Sequence, residues 1–225
     1  MKKRLKNLFY LLIVIIAIYS CDKPNSKNIF SRIFSTGNIE GSSSTVSAKE
    51  LMDYVIKPDN GLIKKKKISE FIYQVKFKPL DYIISKELKG NVIDSAEYIK
   101  KYNELSGLQY FDFRIEVEGI STEILKYNLQ SISDYEERIN YLAFKMQSDF
   151  KLVEGSDTLD CLIYHMERAY DVVPYTTVLL GFNTKVNSYY LDKTIIFTDN
   201  LFKNGIIKFT FISADLILIP KLEII

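Results

Sequence analysis

Two segments decide the fold, and they read Phe71-Ile72-Tyr73-Gln74-Val75-Lys76-Phe77 and Phe111-Asp112-Phe113-Arg114-Ile115-Glu116-Val117. In both segments every second residue is apolar, and most of the residues between are polar or charged. Successive side chains of a β-strand point to opposite sides of the sheet, so this period predicts two strands with one buried side and one solvent-facing side. Such one-sided burial is typical of antiparallel sheets.

Further strands are predicted in the C-terminal part of the chain, where β-branched and aromatic residues form short runs. Polar turns such as Gly155-Ser156-Asp157 and Asn204-Gly205 separate the runs, and turns this short join antiparallel neighbours. The runs cover residues 150–153, 159–166, 175–182, 194–198 and 206–212.

Helices are predicted mainly before these strands. Ser47 and Glu50 have the spacing of a capping box, and Ser133 and Glu136 repeat that spacing. The predicted helices run from Ser47 to just before Pro58 and over residues 80–89, 94–105 and 133–148, with a last helical turn at 215–219. We therefore expect an α+β fold, mainly antiparallel sheet, with three to four short helices concentrated in the N-terminal two-thirds.

Composition excludes several classes of protein. The chain has 225 residues, of which 47% are hydrophobic, so it can bury a core and is neither wholly disordered nor a long coiled coil. The formal net charge of +2 gives no reason to expect nucleic acid as a partner. Two cysteines and one histidine are too few ligands for a structural zinc site, and we expect no metal or cofactor.

The N-terminus has the features of a secretory signal. Four basic residues lie between Lys2 and Lys6, an apolar run follows from Leu8 to Tyr19, and Ser20 precedes Cys21. The run is shorter than the roughly 20 apolar residues that a membrane-spanning helix needs. This length disfavours the alternative, an uncleaved signal-anchor helix in which Cys21 is an uninvolved thiol.

The residues Ile18-Tyr19-Ser20-Cys21 resemble the signal of bacterial lipoprotein precursors. The resemblance implies cleavage between Ser20 and Cys21, a lipid on the Cys21 sulfur, and acylation of the new amino terminus, for example by palmitate. Parts of the remaining chain are similar in pattern to small lipoproteins of the Bacteroidetes group that have no assigned activity. These parts are Asn60-Gly61-Leu62, Tyr73 to Pro79, Ile207 to Phe211 and Ile219-Pro220.

The chain is therefore divided into a signal peptide at 1–20, a lipidated cysteine and flexible tether at 21–47, and a single α+β domain at 48–225. The tether is rich in Ser, Asn, Gly and Lys, and a coil of this length spans ~25–30 Å. Four apolar residues within it have the spacing of one side of a short helix, which leaves docking on the domain as an alternative to disorder. They are Ile29, Phe30, Ile33 and Phe34.

Candidate catalytic residues are sparse. Cys161 and His165 form a possible thiol–imidazole pair, but on an extended strand their side chains lie ~13 Å apart, and only a helix would bring them together. We favour a buried cysteine without a disulfide partner. Two carboxylate pairs, Glu116 with Glu118 and Asp157 with Asp160, are the remaining candidates, and a solvated strand surface explains them better than catalysis.

Two surface features are candidate binding elements. The run Lys64 to Lys67 suits an exposed edge strand, a role that we favour over attraction to anionic lipid headgroups. Tyr189 and Tyr190 lie in an Asn-containing turn and are the aromatic pair least typical of a core. They are candidates for ligand binding.

We expect a membrane-anchored lipoprotein of the cell envelope that faces the periplasm or the cell surface. Its soluble domain is interpreted as a binding or assembly module for envelope proteins or glycans, without an identifiable reaction. The alternative is an envelope hydrolase that uses carboxylates or the pair Cys161 and His165. Enzymatic activity is left open, with absence of activity favoured.

Overall fold

The computed structural model of the chain describes residues 44–89, 93–167, 172–184 and 188–225, without the side chain of Tyr189. The predicted signal, the lipidation site at Cys21 and most of the predicted tether lie outside these residues. Five helices are described, and they are α1 (Ala48–Ile56), α2 (Leu80–Leu88), α3 (Ser95–Leu105), α4 (Ile132–Asn140) and α5 (Ser213–Ile217).

The strands between residues 71 and 211 agree closely with the segments predicted from alternation and from β-branched and aromatic runs, whereas the short strands at 45–46 and 221–222 were not predicted. The described strands are β1 (Thr45–Val46), β2 (Ile63–Ile68), β3 (Phe71–Lys78), β4 (Leu108–Val117), β5 (Phe150–Glu154), β6 (Asp157–Glu167), β7 (Tyr175–Asn183), β8 (Lys193–Asp199), β9 (Gly205–Phe211) and β10 (Lys221–Leu222). The expected α+β class with a mainly antiparallel sheet is confirmed. Four helices lie between β1 and β5, and α5 lies in the C-terminal third, where it overlaps the last helical turn predicted at 215–219.

The main sheet has eight strands in the order β2-β3-β4-β7-β6-β5-β8-β9, and all neighbours are antiparallel. Strand β6 bends the sheet, because Lys151 of β5 pairs with Asp160 whereas β7 pairs with the residues from Cys161 onward. The register shifts between Cys161 and Ile163. The bend brings the two edge strands together, so that Lys64 Nζ of β2 lies 5.9 Å from the ring centroid of Phe211 of β9. The sheet is therefore nearly a closed barrel.

A second, two-stranded sheet joins the start of the described chain to its end. Strand β1 pairs in parallel with β10, and the Glu223 amide donates to the Val46 carbonyl at 2.9 Å. Thr45–Val46 belong to the segment that we had assigned to the tether, and Ser47 caps α1, so ordered structure begins earlier than predicted. The pairing partner lies at the far end of the sequence, which is why local composition does not reveal it.

Side-chain caps begin three of the five described α-helices. Ser47 and Glu50 form the predicted capping box of α1, and Asp94 caps α3 through hydrogen bonds from two backbone amides. For α4 the predicted cap was wrong, because Ser131 and Asp134 form the capping box instead of Ser133 and Glu136. Both pairs have the same spacing, and the structure uses the earlier one.

Aromatic side chains fill the interior of the curved sheet. The rings of Phe113, Phe150 and Phe197 come from three different strands, and their centroids lie 4.7 to 4.8 Å apart. All three residues are fully buried. Aromatic pairs at these distances attract each other beyond the effect of area burial, so this cluster ties both halves of the bent sheet together.

The lysine run lies on an edge, as favoured from sequence. Strand β2 is the terminal strand and pairs only with β3. Lys64 forms an ion pair with Asp215 at 3.6 Å, and Lys67 contacts Glu118. Charged side chains on an edge strand oppose pairing with another chain. In the part of the chain that the structure describes, no helix has the length and apolar character needed to cross a membrane.

Truncating the central cluster should destabilise the domain strongly. We expect Phe197→Ala to lower the free energy of unfolding by about 3–5 kcal/mol, because it removes a buried ring and leaves a cavity between strands. Urea unfolding followed by circular dichroism measures this change. The matched control is Ile206→Ala, since Ile206 is 66% exposed and its truncation should change stability by less than about 0.5 kcal/mol.

Candidate functional site

The structure does not bring Cys161 and His165 together. Both lie on β6, which confirms the extended conformation, and Cys161 is buried whereas His165 is exposed. The Cys161 thiol donates to the Ile163 carbonyl at 3.0 Å. Burial raises the pKa of this thiol to about 11, so it is protonated at neutral pH and is a weak nucleophile.

Three of the four candidate carboxylates are engaged in separate ion pairs. Glu116 accepts a hydrogen bond from Arg114 at 2.6 Å, and Glu118 contacts Lys67 of the edge strand. Asp160 pairs with Lys151 across the β5–β6 hairpin. No group of three or more His, Cys, Asp or Glu residues within the described ranges is placed to hold a metal ion.

The tyrosine pair lies in a short 3-10 turn at Ser188–Tyr190, between β7 and β8. Tyr190 is 41% exposed, and the side chain of Tyr189 lies outside the described part of the structure. The same turn carries Ser188, which is buried and donates a hydrogen bond to Glu154 Oε1 at 2.6 Å.

A more extended polar surface lies on the outside of the sheet. We call it the outer face, and it consists of the side chains on the non-core side of β3, β4, β7 and β6. The strand registers arrange them in two rows that cross all four strands. One row is Gln74, Arg114, Thr177 and Glu167, and the other is Lys76, Asp112, Leu179 and His165.

Arg114 is at the centre of the outer face. Its guanidinium carbon lies 3.3 Å from the ring centroid of Tyr175, and its Nη2 donates to Glu116. An arginine stacked on an aromatic ring and paired with a carboxylate is held in one orientation. Its Nε is buried and has no hydrogen-bond partner among the described residues. The outer face therefore presents a fixed, planar cation.

The neighbouring charges are also fixed. Asp112 accepts from both Lys76 and Lys78 at 3.0 Å, and the three side chains are only 14% to 18% exposed. Burial lowers the pKa of Lys76, but the charge and hydrogen bond of Asp112 outweigh this effect and raise it overall. Both lysines are thus held in defined positions around the Asp112 carboxylate.

A second polar cluster lies inside the barrel, at the end where β5 finishes and β8 begins. Glu154 and Lys193 face each other directly in the two strands, and they are 0% and 1% exposed. Lys193 contacts the Glu154 carboxylate and donates to Ser188 Oγ at 2.6 Å, and Ser188 Oγ donates to Glu154 Oε1 at 2.6 Å. We call these residues, together with Gln109, the buried cluster.

Gln109 completes the buried cluster. Its Nε2 donates to the Asn183 carbonyl at 2.9 Å and lies 3.5 Å from Glu154 Oε1. Two buried acceptors, Glu154 Oε2 and Gln109 Oε1, lack a hydrogen-bond partner in the described part of the chain. Desolvation lowers the pKa of Lys193, and the hydrogen bond and charge of Glu154 act against this shift.

We did not identify the buried cluster from sequence, although a signal was present. In β5 the inward positions read Phe150, Leu152 and Glu154, and in β8 they read Lys193, Ile195 and Phe197. A charged residue at an inward position of a strand indicates a buried charge. Opposite charges at such positions in two strands indicate a buried ion pair. Only the register, which pairs Glu154 with Lys193, shows that the two charges meet.

Comparisons with protein-family models, with curated proteins and with solved structures gave no match at the significance required.

The state of Cys161 can be checked by alkylation. We expect iodoacetamide at pH 8 to modify the folded protein at Cys161 on the order of 10²-fold more slowly than the urea-unfolded protein, because the raised pKa leaves little thiolate. Mass spectrometry of the tryptic peptide of residues 152–168 measures the rate. Equal rates in the folded and unfolded protein would show that this thiol is accessible and ionises normally.

Proposed function

We propose that this protein is a cell-envelope lipoprotein, held to the membrane through Cys21, whose domain binds a polar envelope partner with its outer face. The anchor is supported by the basic start, the short apolar run and the residues Ile18 to Cys21. Two or more acyl chains give a stable anchor without a membrane-spanning helix. The domain then faces the periplasm or the cell surface.

The observation that carries the binding role is the fixed arrangement of Arg114. A side chain that is ordered before binding loses little conformational entropy on binding, which improves affinity. The surrounding groups are hydrogen-bond donors and acceptors of both charges, a composition that suits a polar partner. An envelope protein or a glycan has this character.

Binding is better supported than hydrolysis. The thiol–imidazole candidate has a protonated, buried sulfur at Cys161 and an exposed ring at His165. The candidate carboxylates Glu116 and Glu118 are each held by a basic side chain. General acid–base catalysis requires groups that converge on one reacting atom, and these groups are directed to different neighbours.

The anchor is tested by replacing the proposed lipid attachment site. We expect Cys21→Ser to abolish incorporation of labelled palmitate and to release the domain from the membrane fraction, because the acyl chains supply the membrane affinity. Cys161→Ser is the matched control and should retain both label and membrane association. Labelling of Cys21→Ser at the wild-type level would refute the anchor.

The outer face is tested by site-specific photocrosslinking in intact cells. A photoreactive residue at position 74 lies beside Arg114 and should form adducts with the bound partner, whereas one at position 208 on β9 should not. Adding Arg114→Ala should remove the adducts at position 74. Arg114→Lys should reduce them as well, since lysine keeps the charge but cannot reproduce the planar stack on Tyr175.

The control position makes the result decisive. Lys208 is exposed and belongs to the same sheet, so a probe there reports random collisions. Adducts of equal yield at positions 74 and 208, or adducts at position 74 that persist in Arg114→Ala, would contradict binding at the outer face.

A further inference from the structure

Lys193 and Glu154 are an unusual pair because both charges lie in the interior of the barrel. Their exposures are 1% and 0%, and they occupy directly opposed positions of β8 and β5. Burial of two charges carries a desolvation penalty that their mutual attraction does not always offset. One oxygen of the carboxylate, Oε2, also lacks a partner in the described part of the chain.

We propose that Lys193 and Glu154 condense to form an intramolecular amide bond between β8 and β5. The reaction joins Lys193 Nζ to the carboxyl carbon of Glu154 and releases one molecule of water. It replaces two buried charges with one neutral amide. No oxidant, reductant or other reactant is consumed.

The ammonium group of Lys193 carries the two protons that must pass to the leaving oxygen of Glu154. The ammonium group of Lys193 first transfers a proton to the carboxylate of Glu154, which gives a neutral amine and a neutral carboxylic acid. The amine nitrogen attacks the carboxyl carbon and forms the C–N bond. It then loses a second proton, and the C–O bond to Oε1 breaks as that oxygen leaves as water. Oε2 remains as the amide oxygen.

Ser188 is placed to relay a proton between the two groups. Its Oγ accepts from Lys193 Nζ at 2.6 Å and donates to Glu154 Oε1 at 2.6 Å, so one hydroxyl bridges the nucleophile and the leaving oxygen. Gln109 Nε2, at 3.5 Å from the same oxygen, polarises the carboxyl group further. Burial favours the neutral amine, as the lowered pKa of Lys193 indicates.

A second pair in the same structure provides an internal control. Lys151 and Asp160 also face each other across two strands and are in contact, but their side chains are 46% and 72% exposed. Water solvates both charged groups, so condensation would relieve no desolvation penalty there. We expect no amide bond there.

Mass spectrometry of the full chain, purified and digested with trypsin, tests the proposal directly. An amide at Lys193 blocks cleavage at that residue and links the peptide of residues 152–168 to the peptide of residues 186–203. The expected product is a branched peptide whose mass is the sum of the two, less one water. Fragmentation should locate the link at Glu154 and Lys193.

Two variants distinguish amide formation from a noncovalent contact between Lys193 and Glu154. Lys193→Arg removes the nucleophile and should abolish the branched peptide. Ser188→Ala should slow its formation in pulse-labelled cells on the order of 10²-fold while thermal unfolding shows a folded domain, because a proton relay of this kind contributes a factor of that size. Recovery of the unlinked peptide of residues 152–168 from the wild-type protein, together with the peptides of residues 186–193 and 194–203, would overturn the proposal.

Discussion

The alternation of apolar and polar residues in β3 and β4 is the constraint on which the rest of the structure depends. Because the period is two, each strand commits one side to the interior and the other to the surface, and a shift of one residue would exchange them. The inner sides of β3 and β4 supply Phe77, Phe111 and Phe113 to the aromatic core. The bend in β6 then folds β5, β8 and β9 over the same core.

The same constraint produces the outer face. Once Phe113 and Ile115 point inward, Arg114 must point outward, and the registers bring it into one row with Gln74 and Thr177. Packing on the inner side makes the outer side rigid, because both belong to the same strands. Rigidity and fixed charge are the properties that support the proposed binding role, and they follow from the core and not from separate loops.

The features that could be predicted from sequence are those that depend on residues close together in the chain. Alternation and runs of β-branched and aromatic residues predicted most strands, and Ser47 with Glu50 predicted the start of α1, since capping depends on residues within one turn. Prediction failed where distant segments meet: Thr45–Val46 are ordered by β10, and the buried cluster requires the register of β5 with β8. The polar residues of the outer face can be recognised in the sequence, but their arrangement in two rows depends on the strand registers.

Hydroxyl-radical footprinting of the full chain in intact envelopes and after purification is the most direct test of the outer face as a binding surface. Tyr175 and His165 report on the face, and Phe144, which is 80% exposed, reports on surface elsewhere. If the outer face is occupied in the envelope, oxidation of Tyr175 and His165 should rise on purification while oxidation of Phe144 stays constant. Unchanged oxidation of all three residues would contradict a partner bound at this face.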